Sequence, residues 1–232
     1  MEKGVLFVVS TPIGNLEDIT FRAVRVLEES DLIVCEDTRK TSILLKKFNI
    51  RKKLFAYFKG QEKKRAEYII GKLKKGIRIS LVSESGTPCI HDPGAYLVRR
   101  CHEENINVVP IPGPSALTAA LSVSGMNGDE FIFIGFPPKS KIKRKKIWEC
   151  VKNEEKTVII YISPYNLLNI LEELKEYVSE NRKCFLIREI TKKFEEYRYG
   201  NMEEIIKWSR NKKGEFTLVI EGIKDEKKQK KF

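Results

Sequence analysis

The chain has 232 residues, 41% of them hydrophobic, and 44 Lys and Arg against 32 Asp and Glu give it a formal charge of +12. That length supports one large core or two small ones, and no apolar run approaches the ~20 residues of a membrane helix or the h-region of a signal peptide, so a cytosolic protein is expected. Five scattered cysteines without a CxxC pair and only two histidines exclude a disulfide framework and a zinc site, and no metal is expected. The positive charge attracts polyanions over roughly a Debye length, without by itself specifying nucleic acid.

Residues 5–9 (VLFVV) form a continuous apolar run of the kind that makes a strand covered on both faces. A helix is expected over residues 19–29, with Phe21, Ala23, Val24, Val26 and Leu27 on its apolar face. Strand 32–35, helix 38–48, strand 54–56, helix 62–75, strand 77–82, helix 94–103 and strand 106–110 continue the alternation. Such alternation specifies a parallel or mostly parallel sheet with helices on both faces. The chain breaks at PGPS (residues 112–115) and restarts as a helix over 116–123, which places a domain boundary at residue 112. Strands at 131–136, 157–162, 184–187 and 216–221, helices at 143–151, 167–177 and 202–208, and an antiparallel strand at 195–199 give the second half a mixed sheet. The expected organisation is two α/β domains, residues 1–112 and 113–223, followed by a charged tail at 224–232.

Three loops follow first-half strands, at the carboxyl ends where open α/β sheets bind ligands: residues 10–18, 36–39 and 83–94. Glycine allows close backbone approach and proline fixes shape without an N–H, so the last of these reads as a rigid backbone pocket. Neither GxGxxG nor GxxxxGK[ST] occurs, which removes a dinucleotide fingerprint and a P-loop. Taken one at a time, the loops read equally as tight turns in which Asp18, Thr38 and Asp92 cap helices.

Taken together, the ordered motifs TPIGNLEDIT (11–20), EDTR (36–39), SGTPCIHDPG (85–94), PIPGPSAL (110–117), GFPPKS (135–140), SPYNLL (163–168) and GEFTLVIEG (214–222) resemble the tetrapyrrole-methylase superfamily of S-adenosylmethionine-dependent enzymes. The resemblance is to the branch that methylates a cytidine ribose 2′-hydroxyl in the decoding region of 16S ribosomal RNA, and it spans residues 5 to 222. It implies two α/β domains with S-adenosylmethionine in the cleft between them, and a homodimer acting on 16S rRNA or the small ribosomal subunit. By position, Pro12 and Gly14 would sit beside the cofactor, and Gly86, Thr87, Pro88 and Ile90 would cradle it. Ser115 and Ala116, at a helix start, would offer backbone N–H groups. Pro164, Leu168 and the strand near Ile220 would close the far side. The sequence departs from the family pattern in two places. The usual SDAGTPGISDPG carries Glu84, Ser85, Cys89 and His91 in place of Asp, Ala, Gly and Ser, and the usual YHEHNE reads YFKGQE over residues 57–62, without either histidine.

Methyl transfer from a sulfonium is an in-line displacement governed by holding the acceptor oxygen and methyl carbon ~3 Å apart. A ribose hydroxyl gains from a nearby base or a cation facing the developing alkoxide. The candidates are Glu36, Asp37, Arg39 and Glu84; Asp37 is equally placed to pair with Arg39 or to cap the next helix, and His91 reads as a local polar substitution. For the RNA, Lys139, Lys141, Lys143, Arg144, Lys145 and Lys146 put six cations in eight residues after the strand at 131–136, a density suited to phosphate contacts that position RNA without reading it. Two rivals stand beside this reading. One is a corrin- or porphyrin-type methyltransferase of the same fold, disfavoured by TPIGNLED in place of GxGxGD. The other is a non-catalytic RNA-binding relative, which need not bind S-adenosylmethionine.

Overall fold

The computed structural model of the protein describes residues 3–223, so the tail expected at 224–232 lies outside the described residues. The chain divides after Ser115 into two compact units.

The first unit is built on five strands, β1 (Val5–Val9), β2 (Leu32–Cys35), β3 (Lys53–Ala56), β4 (Ile79–Val82) and β5 (Asn107–Ile111), in the order β3-β2-β4-β1-β5. Every neighbouring pair is parallel. Helices α1 (Phe21–Glu29), α2 (Thr38–Lys47), α3 (Glu62–Leu73) and α4 (Ala95–Glu103) make the crossovers. Side chains alternate across each strand, so Val9, Ile33 and Val82 meet Val26, Leu27 and Leu45 of α1 and α2 on one face. Leu6, Val34 and Leu81 meet Ile69, Leu73 and Leu97 of α3 and α4 on the other. Burying each such side chain contributes about 1.5–3 kcal/mol. The helices that follow the neighbouring strands β1 and β4 thus lie on opposite faces, the arrangement at whose carboxyl edge open α/β sheets bind ligands.

The helix caps fall one or two residues from those read in the sequence. Thr20 caps α1, its hydroxyl accepting from Ala23 N at 3.1 Å, because Asp18 is already used in a short 3-10 turn over Leu16–Asp18. Asp37 caps α2, accepting from Arg39 N at 2.8 Å, which makes Thr38 the first helical residue. Gly94, with φ 138°, precedes α4, leaving Asp92 two residues upstream of the cap. The strand expected from residue 77 begins at Ile79 because Arg78 N donates to the Asp31 carboxylate at 2.8 Å.

The second unit comprises α5 (Ala116–Ser124), β6 (Phe131–Gly135), α6 (Lys141–Lys152), β7 (Thr157–Ile162), α7 (Leu167–Lys175), β8 (Cys184–Arg188), β9 (Glu196–Gly200), α8 (Met202–Ser209) and β10 (Phe216–Ile220). Its sheet order is β6-β7-β10-β8-β9. β6 pairs parallel with β7, whereas β10 is antiparallel to β7 and β8, and β9 is antiparallel to β8. The sheet is therefore mixed, and β6, β7 and β8 point their carboxyl ends the same way. Trp148, Ile170, Leu174 and Ile205 of α6, α7 and α8 build the larger core on one face. α5 covers Ile159, Phe185 and Val219 on the other. The β6–β7 register shifts between Phe133 and Gly135, and Gly135 adopts φ 73°, a bulge that turns the chain into the Pro137-Pro138 corner.

A half-buried network fixes α6 to α7. Arg144 makes a two-pronged pair with Glu173 (Nε to Oε2 2.8 Å, second prong 2.7 Å), while Trp148 Nε1 donates to the same carboxylate at 3.1 Å. Removing one partner from such a pair leaves a desolvated charge behind. Glu173→Ala should therefore destabilise the second unit by about 1–3 kcal/mol, with Glu173→Gln milder because it keeps an acceptor. Both tryptophans of the chain, Trp148 and Trp208, belong to this unit, so urea unfolding followed by tryptophan fluorescence reads the loss directly; a change under about 0.5 kcal/mol would assign the pair to the ordinary surface class.

Candidate active site

Two loops of the first unit are tied to each other at the carboxyl edge of its sheet. Thr11 N donates to Gly86 O at 2.9 Å and Gly86 N to Thr11 O at 3.0 Å, an isolated antiparallel bridge between the β1 and β4 loops. Thr11 Oγ1 donates to Ser83 O at 3.2 Å and Ser83 Oγ to Gly86 O at 2.8 Å. Ser10 and Thr87 hydroxyls meet at 3.0 Å, and Thr87 also donates to Pro114 O at 3.2 Å, drawing in the loop after β5. Gly86 has φ 83°, and a Cβ there would stand 3.2 Å from Ile13 Cγ2 and 3.6 Å from Pro114 O. Glycine is needed at this position both for the left-handed backbone and for the close approach of three loops. Pro12 and Pro88 are buried in the tie, while Gly14 and Ile90 are exposed at its rim.

The acidic residues divide by partner. Asp37 is committed to structure: besides the α2 cap it pairs with Arg39, Nη2 to Oδ2 at 3.0 Å, and that pairing holds its carboxyl below the usual range. Glu84 pairs with Lys40 of α2. Asp92 has no hydrogen-bond or ion-pair partner among the described residues; burial, together with the charges of Glu36 and Glu84, pushes its carboxyl up to about 6, against a smaller opposing pull from Lys59. Lys59 lies in the segment where the family pattern has His-Glu-His, and with burial it lowers His91. Sequence alone offers Glu36, Asp37, Arg39 and Glu84 as chemical candidates and Asp92 only as a cap. The structure brings Glu36 and Glu84 into electrostatic reach of Asp92; for Asp92 itself, only its place in the loop after β4 pointed there.

The remaining expected site residues lie in or beside the second unit. Ser115 precedes α5 and Ala116 is its first residue. Pro164 follows β7 in a short 3-10 turn, and Leu168 is exposed on the first turn of α7. Ile220 does not join them. β10 runs antiparallel to β7, so Phe216 pairs with Ile162 beside Pro164 while Ile220 pairs with Val158 at the other end, about 13 Å along the strand. Ile220 is fully buried in the core. In the basic run, Lys139, Lys141, Lys143, Lys145 and Lys146 are exposed, whereas Arg144 is spent on Glu173 and on the carbonyls of Pro138 and Lys139. Among the described residues, no group of three or more His, Cys, Asp or Glu side chains is placed to hold a metal ion, and no helix is long and apolar enough to cross a membrane.

Two α/β units, the first an all-parallel sheet and the second a mixed one, define a class of fold that known proteins share. Residues 5–206 match the family described as Tetrapyrrole (Corrin/Porphyrin) Methylases. The chain is 44% identical over 228 residues to "Ribosomal RNA small subunit methyltransferase I" of Buchnera aphidicola, covering 96% of this chain and 80% of that one. It is likewise 44% identical over 221 residues to the protein of that name from Thermotoga maritima, covering 94% and 99%. Among solved structures, the methyltransferase CobJ superposes with a TM-score of 0.71 at 17% identity, over 94% of both chains. Uroporphyrin-III-C-methyltransferase from Thermus thermophilus superposes with 0.67 at 16%, again over 94% of both. These two show the fold alone. The chain belongs to the tetrapyrrole methylase family, on the branch named ribosomal RNA small subunit methyltransferase I.

A carboxyl with a folded-state pKa of about 6, against 3.8 for the ordinary group, binds its proton more tightly when folded. The stability it contributes is complete below about pH 4 and is lost as pH rises through about 6. Asp92→Asn should remove that dependence. Thermal midpoints from pH 4 to pH 7 should then show the variant gaining on the parent as pH rises, with the gap opening between pH 4 and 6; parallel curves would place the Asp92 carboxyl in ordinary solvent.

Proposed function

We propose that the protein is an S-adenosylmethionine-dependent methyltransferase that modifies the ribose 2′-oxygen of a cytidine in the RNA of the small ribosomal subunit. The observation that carries this reading is the 41–44% identity over nearly the whole chain to relatives bearing that ribosomal name, combined with a loop tie whose chemistry fits the cofactor. Ser10, Ser85 and Thr87 hydroxyls, the buried Pro12 and Pro88, and exposed Ile90 suit an uncharged nucleoside with an apolar edge. Glu36, Glu84 and Asp92 suit a sulfonium cation. Where a phosphate cofactor would need cations and an N–H nest, the tie spends the amides of Thr11 and Gly86 on each other.

On this reading Pro12, Gly14, Gly86, Thr87, Pro88 and Ile90 hold S-adenosylmethionine, which supplies an electrophilic methyl group. The protein's own part is to orient the acceptor and receive its proton. Asp37 and Arg39 hold each other and α2 in place, so proton acceptance falls to the carboxylates grouped around Asp92, whose raised affinity suits a base working near neutrality. The exposed lysines 139, 141, 143, 145 and 146 meet phosphates and position the RNA.

Calorimetry should detect S-adenosylmethionine binding by the intact chain, with Gly86→Val abolishing it. Incubation with unmodified small subunits should place one methyl on a cytidine ribose, located by mass spectrometry of the RNA. Replacing Lys143, Lys145 and Lys146 by glutamine, and sparing the structural Arg144, should make the salt slope of RNA binding shallower by about 0.7 for each phosphate left unneutralised while cofactor affinity holds. Cofactor binding without RNA methylation would overturn the substrate; no cofactor binding would overturn the class.

A further inference from the structure

Because β6, β7 and β8 end on one side of the second-unit sheet, the loops that leave them are neighbours. Each carries an exposed aromatic ring: Phe136 (44% exposed), Tyr165 (93%) and Phe194 (65%). With β6 beside β7, and β8 two strands beyond, the three loops leave the sheet within about 14 Å. Phe136 is braced by Tyr161, ring centres 5.5 Å apart, and Tyr161 in turn packs on Phe133 at 4.8 Å. Lys193 lies 5.7 Å from the Phe194 ring centre.

Charge at this end is unbalanced. Glu189 and Glu215 hold Lys192, Glu196 holds Arg188 and Lys212, and Glu195 accepts from Thr191 N. Lys139, Lys193 and Lys213 stay exposed without an acidic partner among the described residues, and α6 begins its basic run two residues beyond Lys139. The loop bearing Phe194 is also strained. Glu189 and Thr191 take left-handed φ of 51° and 63°, and Thr191 Oγ1 is buried without a hydrogen-bond partner among the described residues. Strain of this kind persists where the surroundings impose it, commonly at functional sites.

We propose that this end of the second unit is a base-stacking platform for a single-stranded RNA segment, with Tyr165 and Phe194 stacking on bases and Lys139, Lys193 and Lys213 meeting phosphates; it rests on the RNA substrate argued above. Aromatic rings on separate loops, interleaved with lysines, match unpaired bases, whose faces a duplex hides.

The test uses the full chain and a cytidine-containing single-stranded RNA of about 12 nucleotides. Tyr165→Ala and Phe194→Ala should each weaken binding roughly 5- to 100-fold, the effect of losing one stack, with the salt slope unchanged, while Tyr165→Phe should bind as the parent does. Phe194→Trp should add an exposed indole whose fluorescence is quenched by the single strand and not by the same sequence in a duplex. If the parent binds the RNA and both alanine variants bind equally well, the platform is wrong and the RNA substrate stands. Equal quenching by duplex, or alanine effects that appear only as a changed salt slope, would also overturn stacking. Alanine variants that bind RNA normally but lose only the assembled subunit would reassign the rings to a protein contact. A parent that binds no RNA would sink the substrate reading itself.

Discussion

The pair of backbone hydrogen bonds between Thr11 and Gly86 is the constraint from which the first unit's candidate site follows. The chain leaves β1 and β4 toward helices on opposite faces of the sheet, so nothing in the strand ladder keeps those two loops together. The bridge does, and the hydroxyls of Ser10, Thr11, Ser83 and Thr87 reinforce it from both sides. Each bond contributes only about 1 kcal/mol net. Their worth is geometric, because they hold together two loops that would otherwise be independent turns. Glycine at 86 is a requirement of that closure before it is a requirement of any ligand.

Electrostatics run against the whole-chain average at this edge. A protein of net charge +12 gathers Glu36, Glu84 and Asp92 around one loop, where burial and the two neighbouring charges raise the Asp92 pKa. Its exposed lysines at the second-unit sheet end, Lys139, Lys193 and Lys213, are of the opposite sign. The proposed cationic methyl donor and anionic substrate would call for opposite fields, and the loops that follow β2 and β4 carry the clustered acids while those that follow β6 and β8 carry lysines without an acidic partner among the described residues. The +12 sum hides this difference between loops, so composition alone favours a polyanion and is silent on the acidic cluster.

Strands and helices were legible because their periodicity is local: β1, β2 and β7 begin and end where their apolar runs do. Caps were less so, since Asp18, Thr38 and Asp92 compete with Thr20, Asp37 and Gly94 for the same turns and the winner depends on where the preceding strand releases the chain. The motifs located the site loops, yet two residues were misplaced by reasoning along the chain. Ile220 belongs to a motif whose other end, at Gly214 and Phe216, lies beside Pro164, and only the antiparallel register of β10 reveals that four residues carry it to the far side of the sheet. Arg144 looks like its lysine neighbours in sequence, but its spacing from Trp148 turns it toward Glu173. Conversely, Phe136, Tyr165 and Phe194 lie far apart in the chain, and strand order alone puts them at one end.

Both units store backbone strain in the same form. Cys89 and His91 in the β4 loop, and Glu189 and Thr191 in the β8 loop, are non-glycine residues with left-handed φ two positions apart. Each costs roughly 1–2 kcal/mol relative to an ordinary backbone. The Cys89 thiol occupies the space beside Gly94, where a Cβ would come within 2.5 Å of Sγ. The loop keeps its path because Gly94, the buried Pro88 and Pro93 and the Thr11 bridge leave it no alternative. In the β8 loop the same function falls to Glu189, which accepts from the amide of Glu215 at 2.7 Å and binds Lys192. A loop held in an unfavourable shape by its surroundings cannot relax onto a ligand, so whatever these two loops bind must fit a surface already made.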